Sequence, residues 1–369
     1  MDWKNYGQLT EAGSSLRRYY GLQTYHNSDP DLDAWLNEKK PGCIIALLVD
    51  AMGISVMEKH LKRSGFFFSH LKKEITTVFP PTTTAATTSF RTGKSPAENG
   101  WLGWDQYFHE MDDNIILFRE QSQYGSKFYD NFVELAMPYK DLVQDLREHN
   151  INSESVWPIW SRINPCASYH DLLKTAGEIA EEDGMRFVYA YWDAFDTLMH
   201  QEGPSSRQAG KMIREIEQET EQFVKTLPAD CALVIVADHS QVDVRQKDIA
   251  LQKDMCACFR HEPALEPRTI AFYIKDGKER EFVERFNDVF GRDYHLYTHA
   301  EVMAGHFFGE GTVHPRMEEF IGDYLAVAET DLQLVYKKGF GKKGDHAGGN
   351  ERRSNCSFDP IHKDISELW

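Results

Sequence analysis

The chain of 369 residues carries a formal net charge of −17, with 41% apolar and 12% aromatic residues. That balance excludes duplex nucleic acid or an anionic membrane as a partner recruited by the overall field, although bound metal ions can still make one site locally positive. The polar start Met1-Asp-Trp-Lys-Asn-Tyr6 and the lack of a run of about 18 apolar residues predict neither a signal peptide nor a membrane-spanning helix.

A chain of this length buries a large core, and one large α/β domain with a smaller one is expected. Residues 1–40 read as helix and loop, with a turn at Asn27-Ser-Asp-Pro30. Cys43-Ile-Ile-Ala-Leu-Leu-Val49 is a continuous apolar run ending at Asp50. Such a run suits a parallel strand covered on both faces. Gly53 follows, with a helix expected to about residue 62. A second strand is expected over 75–79. A helix over 82–91 follows Pro80 and Pro81, because proline is tolerated at a helix start.

A third strand is expected over 187–192, ending near Asp196, and a fourth over 232–237, ending at Asp238. Between them, 207–227 has helical periodicity with charged outer positions. Strands alternating with helices predict a doubly wound, mostly parallel α/β sheet flanked by helices. Ligands of such sheets bind beyond the C-terminal strand ends, which is where Asp50, Asp196 and Asp238 fall.

The stretch 245–338 reads as a small α+β insertion. It holds a strand over 269–274, a turn at Asp276-Gly277, a helix over 279–290, a helix-like Val302-Met-Ala-Gly305 and a strand over 332–336. The expected division is a core of 1–244 with 339–369 and a cap of 245–338. The tail after Asn355 is expected to be a surface strand or loop. The six cysteines are scattered, and Cys256 and Cys258 form a lone C-x-C with no matching pair. A reduced, cytoplasmic protein is therefore expected.

The chemistry lies in short acidic and histidine clusters: Asp50, Asp196 with His200, Asp238 with His239, and His346. Three carboxylates and three imidazoles make a ligand set for two divalent ions. Asp196 and His200 stand four apart, on one face of a helical turn, where they can share an ion. Any one cluster alone reads as a turn former or a surface histidine. Their joint position at expected strand ends favours ligation. Two divalent ions bring +4 and three aspartates return −3, so roughly one positive charge is left for an anionic phosphorus ester. A bound ion would also activate an alcohol. The tract Thr82-Thr83-Thr84, with Thr87 and Thr88, offers that alcohol, although such residues serve equally well as caps and packing groups of a helix. Its helix N-terminus would add N–H donors for phosphate.

These residues resemble the alkaline phosphatase superfamily, and within it the nucleotide pyrophosphatase/phosphodiesterase-type branch. The resemblance rests on Ile44-Ile-Ala-Leu-Leu-Val-Asp50-Ala-Met-Gly53, Val78-Phe-Pro-Pro-Thr-Thr83, Thr92-Gly-Lys-Ser-Pro96 with Asn99-Gly100, Tyr191-Trp-Asp-Ala-Phe-Asp196-Thr-Leu-Met-His200-Gln-Glu-Gly-Pro204, Val236-Ala-Asp238-His239-Ser240 and Gly344-Asp-His346-Ala-Gly-Gly. It implies one metal on Asp196, His200 and His346, and the other on Asp50, Asp238 and His239. It also implies Thr83 as nucleophile, counted back from Thr92, with Thr82 as the fallback. Asp193 competes with Asp196 but lacks the four-residue spacing to His200.

Zinc is the expected ion and manganese the second choice. The implied activity is hydrolysis of a phosphodiester or nucleotide pyrophosphate bond of a small anionic substrate, through a phospho-threonine intermediate. Phosphomonoesterase or phosphonate hydrolase activity is the alternative within the superfamily, and a catalytically silent binding or regulatory protein is the alternative outside it. One departure stands out. Members of the branch commonly carry a phosphate-contacting asparagine twenty-one residues after the nucleophile, and that position here is Trp104. Trp101 and Trp104 read either as packing aromatics or as a stacking surface for a base.

Overall fold

The computed structural model describes residues 6–336 and 341–349 in full and 355–362 as backbone. The opening residues 1–5 and the side chain of Cys356 lie outside the described residues. Among these residues the chain forms two seven-stranded sheets and two small two-stranded ones.

The first sheet is the expected doubly wound one. Cys43–Val49 lies at its middle, pairing in parallel with Arg186–Trp192 on one side and Cys231–Val236 on the other. All three strands are buried along their whole length, as their uninterrupted apolar composition requires. Asn152–Pro158 continues the sheet beyond Arg186–Trp192, also in parallel. Helices cover the faces. Arg207–Thr226 is capped by the Ser206 side chain, which accepts from the Ala209 N–H, and it buries Ile213, Ile216, Phe223 and Val224 on one stripe.

The N-terminal region forms two helices, Gln8–Tyr19 and Pro30–Lys39. The turn expected at residues 27–30 is the helix start itself: Asp29 caps the second helix and Pro30 opens it. The helix after Gly53 spans Ile54–His60.

Two expectations need correction. The strand placed at 75–79 is Lys73–Thr76. Phe79 leaves the ladder to pack among Phe307, Phe308 and Tyr6, and Pro80 and Pro81 have no N–H to continue it. The tail placed on the surface is an internal strand. Asn355–His362 inserts antiparallel between Lys73–Thr76 and Cys231–Val236. A strand from the chain end fills a slot that two non-adjacent strands leave open, which local pattern does not reveal.

The second sheet is antiparallel and smaller in its strands. It draws on Asp105–Phe108, Asp113–Ile116 and Gln121–Ser122, then on Ala264–Glu266, Thr269–Phe272, Tyr324–Ala328 and Tyr294–Thr298. The two groups join where Leu265 pairs with Asp105. This body therefore reaches back to residue 105, outside the 245–338 stretch, because its first strands are too short to carry an alternating pattern. One face packs Trp101, Phe108, Tyr273 and Phe320. The other packs Phe272 against Phe282, Phe286 and Phe290 of the helix Glu279–Phe290. Leu332–Val335 stays out of this sheet and pairs in parallel with Arg245–Asp248.

Candidate metal centre and nucleophile

Asp50 follows the central strand directly, and its N–H donates to the Trp192 carbonyl at 2.9 Å. The neighbouring strand delivers Asp238 and His239 to the same edge. The two loops touch at Gly53, where an added Cβ would lie 2.6 Å from Ser240 Cβ and 2.9 Å from the His239 carbonyl oxygen. Only glycine permits that approach. Asp238 Oδ1 accepts from the Ala51 and His239 N–H groups, each at 3.0 Å. Its Oδ2 is buried with no hydrogen-bond partner. His239 Nδ1 lies 3.2 Å from the Ser240 carbonyl oxygen. A carbonyl only accepts, so Nδ1 carries the proton and Nε2 presents a lone pair. That Nε2 is 3.4 Å from Asp50 Oδ1 and 3.6 Å from Asp238 Oδ2.

The second group is built on the helix Ala194–Glu202. Asp196 and His200 share one face, with His200 Nε2 3.1 Å from Asp196 Oδ2. His200 Nδ1 donates to the Gly344 carbonyl at 2.8 Å, which again leaves Nε2 unprotonated. Gln241 Nε2 donates to both the backbone and the side-chain oxygens of Asp196. His346 arrives from the far end of the chain, where Ala347 N–H donates to the Pro81 carbonyl at 3.0 Å. Its ring stands 5.2 Å from that of His200 and 4.1 Å from that of His239, so the two groups adjoin. The structure thus brings all six sequence candidates to one edge of the parallel sheet, in two sets of three.

The donor set fits two divalent ions. Tetrahedral ligation at about 2.0–2.1 Å separates ligand atoms by roughly 3.3 Å. The carboxylate–imidazole spacings above lie close to that. The buried, unpartnered Asp238 Oδ2 and His346 Nδ1 show polar groups that the protein itself leaves unsatisfied. Electrostatics agree. Burial, and then the like charges of Asp238 and Asp196, push the Asp50 carboxyl well above the usual range. Burial also raises Asp238, against the pull of His239. Burial works to raise Asp196 too, but the neighbouring His200, His346 and His239 hold it well below its usual value. Burial and the adjacent His239 hold the His346 imidazolium far below its ordinary pKa. Crowded, buried carboxylates call for cationic charge among them. A third acidic and histidine grouping, His109, Glu110 and Glu319, lies at the surface, where Arg316 already pairs with both glutamates.

Thr83 opens the helix Thr83–Thr92 and is buried. Its Oγ1 lies 3.2 Å from Asp50 Oδ2 and 3.1 Å from His239 Nε2. Thr82 faces the other way and donates to Glu266 Oε1. Asp193 is engaged elsewhere, accepting from Trp160 Nε1 at 2.6 Å. Trp101 is a packing residue, buried with its Nε1 donating to the Met137 carbonyl. Asn99 is also structural: its Oδ1 accepts from the Trp101 N–H at 2.8 Å. Trp104 is half-buried, with its N–H on Glu266 Oε1 at 2.8 Å and the Arg119 guanidinium 5.4 Å from its ring centre.

Several supporting residues escaped the sequence reading. Tyr191 OH donates to Asp50 Oδ2. Gln333 Nε2 donates to Asp345 Oδ2 at 2.6 Å, beside His346. Glu266 joins the second sheet to the residue preceding Thr83. Asp345 and Gln241 sit inside or next to the quoted motifs and were within reach. Glu266 and Gln333 carry no local signal.

The parallel sheet with this group of side chains along its C-terminal edge is the architecture of the alkaline phosphatase superfamily, and the family that the chain matches makes it a phosphoric ester hydrolase by class. Comparison narrows the class. The profile of the type I phosphodiesterase / nucleotide pyrophosphatase family matches residues 44–349, and the chain belongs to that family. Among solved structures, it is similar to human ectonucleotide pyrophosphatase / phosphodiesterase 5, with 15% identity, a TM-score of 0.66, and coverage of 86% of this chain and 87% of that one. The murine counterpart gives 14% identity and a TM-score of 0.65 with the same coverage. An inactive threonine-to-alanine variant of the murine protein, in complex with AMP, gives 15% and 0.64, again with 86% and 87% covered. No curated protein matches the chain in sequence.

Proposed function

We propose that this protein hydrolyses the phosphodiester or pyrophosphate bond of a small nucleotide-like substrate. In this reading Asp196, His200 and His346 hold one divalent ion, Asp50, Asp238 and His239 hold the other, and Thr83 is the nucleophile. The observation that carries the reading is Thr83 Oγ1, a buried alcohol within 3.2 Å of Asp50 and His239. When bound, the ions would lower the pKa of the attacking hydroxyl and neutralise charge on the phosphoryl oxygens.

The chain's own residues do the rest. Asp50 Oδ2 accepts a hydrogen bond from the Thr83 hydroxyl and orients Oγ1, and the hydroxyl proton leaves with the departing oxygen. The Thr83 Oγ1–phosphorus bond forms as the bond to the leaving oxygen breaks, with the electron pair going to that oxygen. Water then forms a new bond to phosphorus and the Thr83 bond breaks, restoring the alcohol. The N–H groups of the first turn of the helix Thr83–Thr92, which lack intrahelical acceptors, would be available to phosphoryl oxygens held at Thr83. The AMP complex of the murine structure, with its inactive threonine variant, supports both a nucleotide-like substrate and a threonine nucleophile here.

Zinc suits the mixed Asp/His donor set, with manganese as the second choice. A cytoplasmic setting belongs to the same proposal, supported by free thiols at Cys43, Cys166, Cys231, Cys256 and Cys258. Metal analysis and a substrate panel test the reading together. The purified protein should hold about two ions per chain and cleave an aryl phosphodiester faster than an aryl phosphomonoester. The reverse preference would refute the diesterase reading and leave the family intact.

A further inference from the structure

Lys342 belongs to neither set of ligands, yet its ammonium lies inside the site. Nζ is 3.0 Å from His200 Nε2 and 3.4 Å from Asp345 Oδ1. Its charge opposes the rise that burial causes in the Glu266 carboxyl, and it helps hold down the His346 imidazolium. The side chain is 32% exposed, so the head group also faces solvent.

The backbone under this side chain is pinned. Lys342 N–H donates to Gln333 Oε1 at 3.3 Å, and its carbonyl accepts from Gln246 Nε2 at 2.5 Å. The next N–H, of Lys343, donates to the His200 carbonyl at 2.8 Å. A fixed base with a four-carbon stem gives the ammonium a short, defined reach. His200 Nε2 has a single lone pair, and it cannot accept from an ammonium while ligating an ion. An ion held by His200 would free the Lys342 head group from that contact and leave it the Asp345 oxygen at 3.4 Å among the described residues. Anionic oxygens brought by the substrate are then its natural partners, since lysine binds phosphate as a point charge.

We propose that Lys342 is a specificity-determining residue whose ammonium binds a negatively charged leaving group, favouring substrates in which the leaving group is itself a phosphate. The inference rests on the two-metal hydrolase reading above. As the Thr83 Oγ1–phosphorus bond forms and the phosphoanhydride bond breaks, the electron pair passes to the leaving phosphate, whose growing charge the ammonium meets. An aryl or alkyl leaving group carries no standing charge of this kind and gains less.

The test compares the metal-loaded wild type with Lys342→Met and Lys342→Arg. One substrate is a nucleoside diphosphate and the other an aryl ester of a nucleoside monophosphate. Lys342→Met should lower the ratio of kcat/KM for the diphosphate to kcat/KM for the aryl ester by about tenfold, the scale of one charge-assisted hydrogen bond. Lys342→Arg should recover part of that ratio, and metal content should match the wild type. Equal losses on both substrates, an unchanged ratio, or loss of an ion from the Met variant would overturn the proposal. Calorimetric binding of a methylene-bridged nucleoside diphosphate, against the monophosphate, provides a second readout. If the wild type turns over neither substrate, the hydrolase reading fails. Weaker diphosphate binding by Lys342→Met would then still support anion recognition by Lys342, and unchanged binding would sink that too.

Discussion

Thr82 and Thr83 are identical side chains on adjacent residues, and only their surroundings separate them. Thr82 stands at the N-cap position of the helix but gives its hydroxyl to Glu266, whereas Thr83 turns its oxygen toward Asp50 and His239. Replacing Thr83 with alanine removes that oxygen but leaves Asp50 held by Tyr191 OH and His239 held through Nδ1 at the Ser240 carbonyl. Thr83→Ala should therefore lower kcat by about a thousandfold or more while both ions stay bound. A variant that keeps its activity would disqualify Thr83, and one that loses an ion would make the hydroxyl a ligand rather than a nucleophile. The sequence made Thr83 readable only through its nine-residue spacing to Thr92, because a run of threonines looks like caps and packing. The six aspartate and histidine candidates were easier to read. Asp50 and Asp238 end uninterrupted apolar runs, and Asp196 with His200 keeps helical spacing. Lys342 gave no such sign, since its partner His200 is 142 positions away.

Elements were legible where one stretch of chain satisfied itself. The three central strands announced themselves by burial on both faces, and Arg207–Thr226 by its stripe of Ile213, Ile216, Phe223 and Val224. Elements that depend on distant chain were not. The strand Asn355–His362 reads as a tail because its two neighbours are separated from each other and from it in sequence. Its backbone pairs Phe358–His362 with Ala232–Val236 and Asn355–Phe358 with Lys73–Thr76. Deleting residues 355–369 should therefore expose Ala232–Val236 of the apolar strand as an open edge and detach Lys73–Thr76. Unpaired apolar edges recruit other chains. The expected outcome is a sharp fall in soluble monomer by size-exclusion chromatography. A monomeric, cooperatively unfolding truncation would show that this strand adds no essential pairing.

A carboxylate of the second sheet reaches the segment that carries the nucleophile. Glu266 lies on the second sheet, yet its Oε1 accepts from Thr82, one residue before the nucleophile, and from the Trp104 N–H. Burial pushes this carboxyl up to about 7 from an ordinary 4.5; Asp345 adds to the rise, while Lys342 and the hydrogen bonds from Thr82 and Trp104 oppose it. Asp105, on the neighbouring strand, is itself raised by burial and by Glu266. Between pH 4.5 and 7 the folded protein thus holds a proton on Glu266 that the unfolded chain has released. Where the folded state binds more protons, stability falls as pH rises. The contribution is fully present below 4.5, is lost through the window, and amounts to at most about 3 kcal/mol. Glu266→Gln keeps an oxygen to accept from Thr82 and Trp104 but cannot ionise. Relative to the wild type, its unfolding free energy should therefore rise between pH 5 and pH 7.5 in denaturant titrations at matched metal loading. A difference that stays flat would mean that Glu266 titrates alike in both states and that its burial costs the fold nothing. The rate of attack by Thr83 should fall in Glu266→Ala, where the acceptor for Thr82 and Trp104 is lost, and be retained in Glu266→Gln, where it survives. That contrast separates the carboxylate's charge from its role as the hydrogen-bonded tie that places the nucleophile's helix.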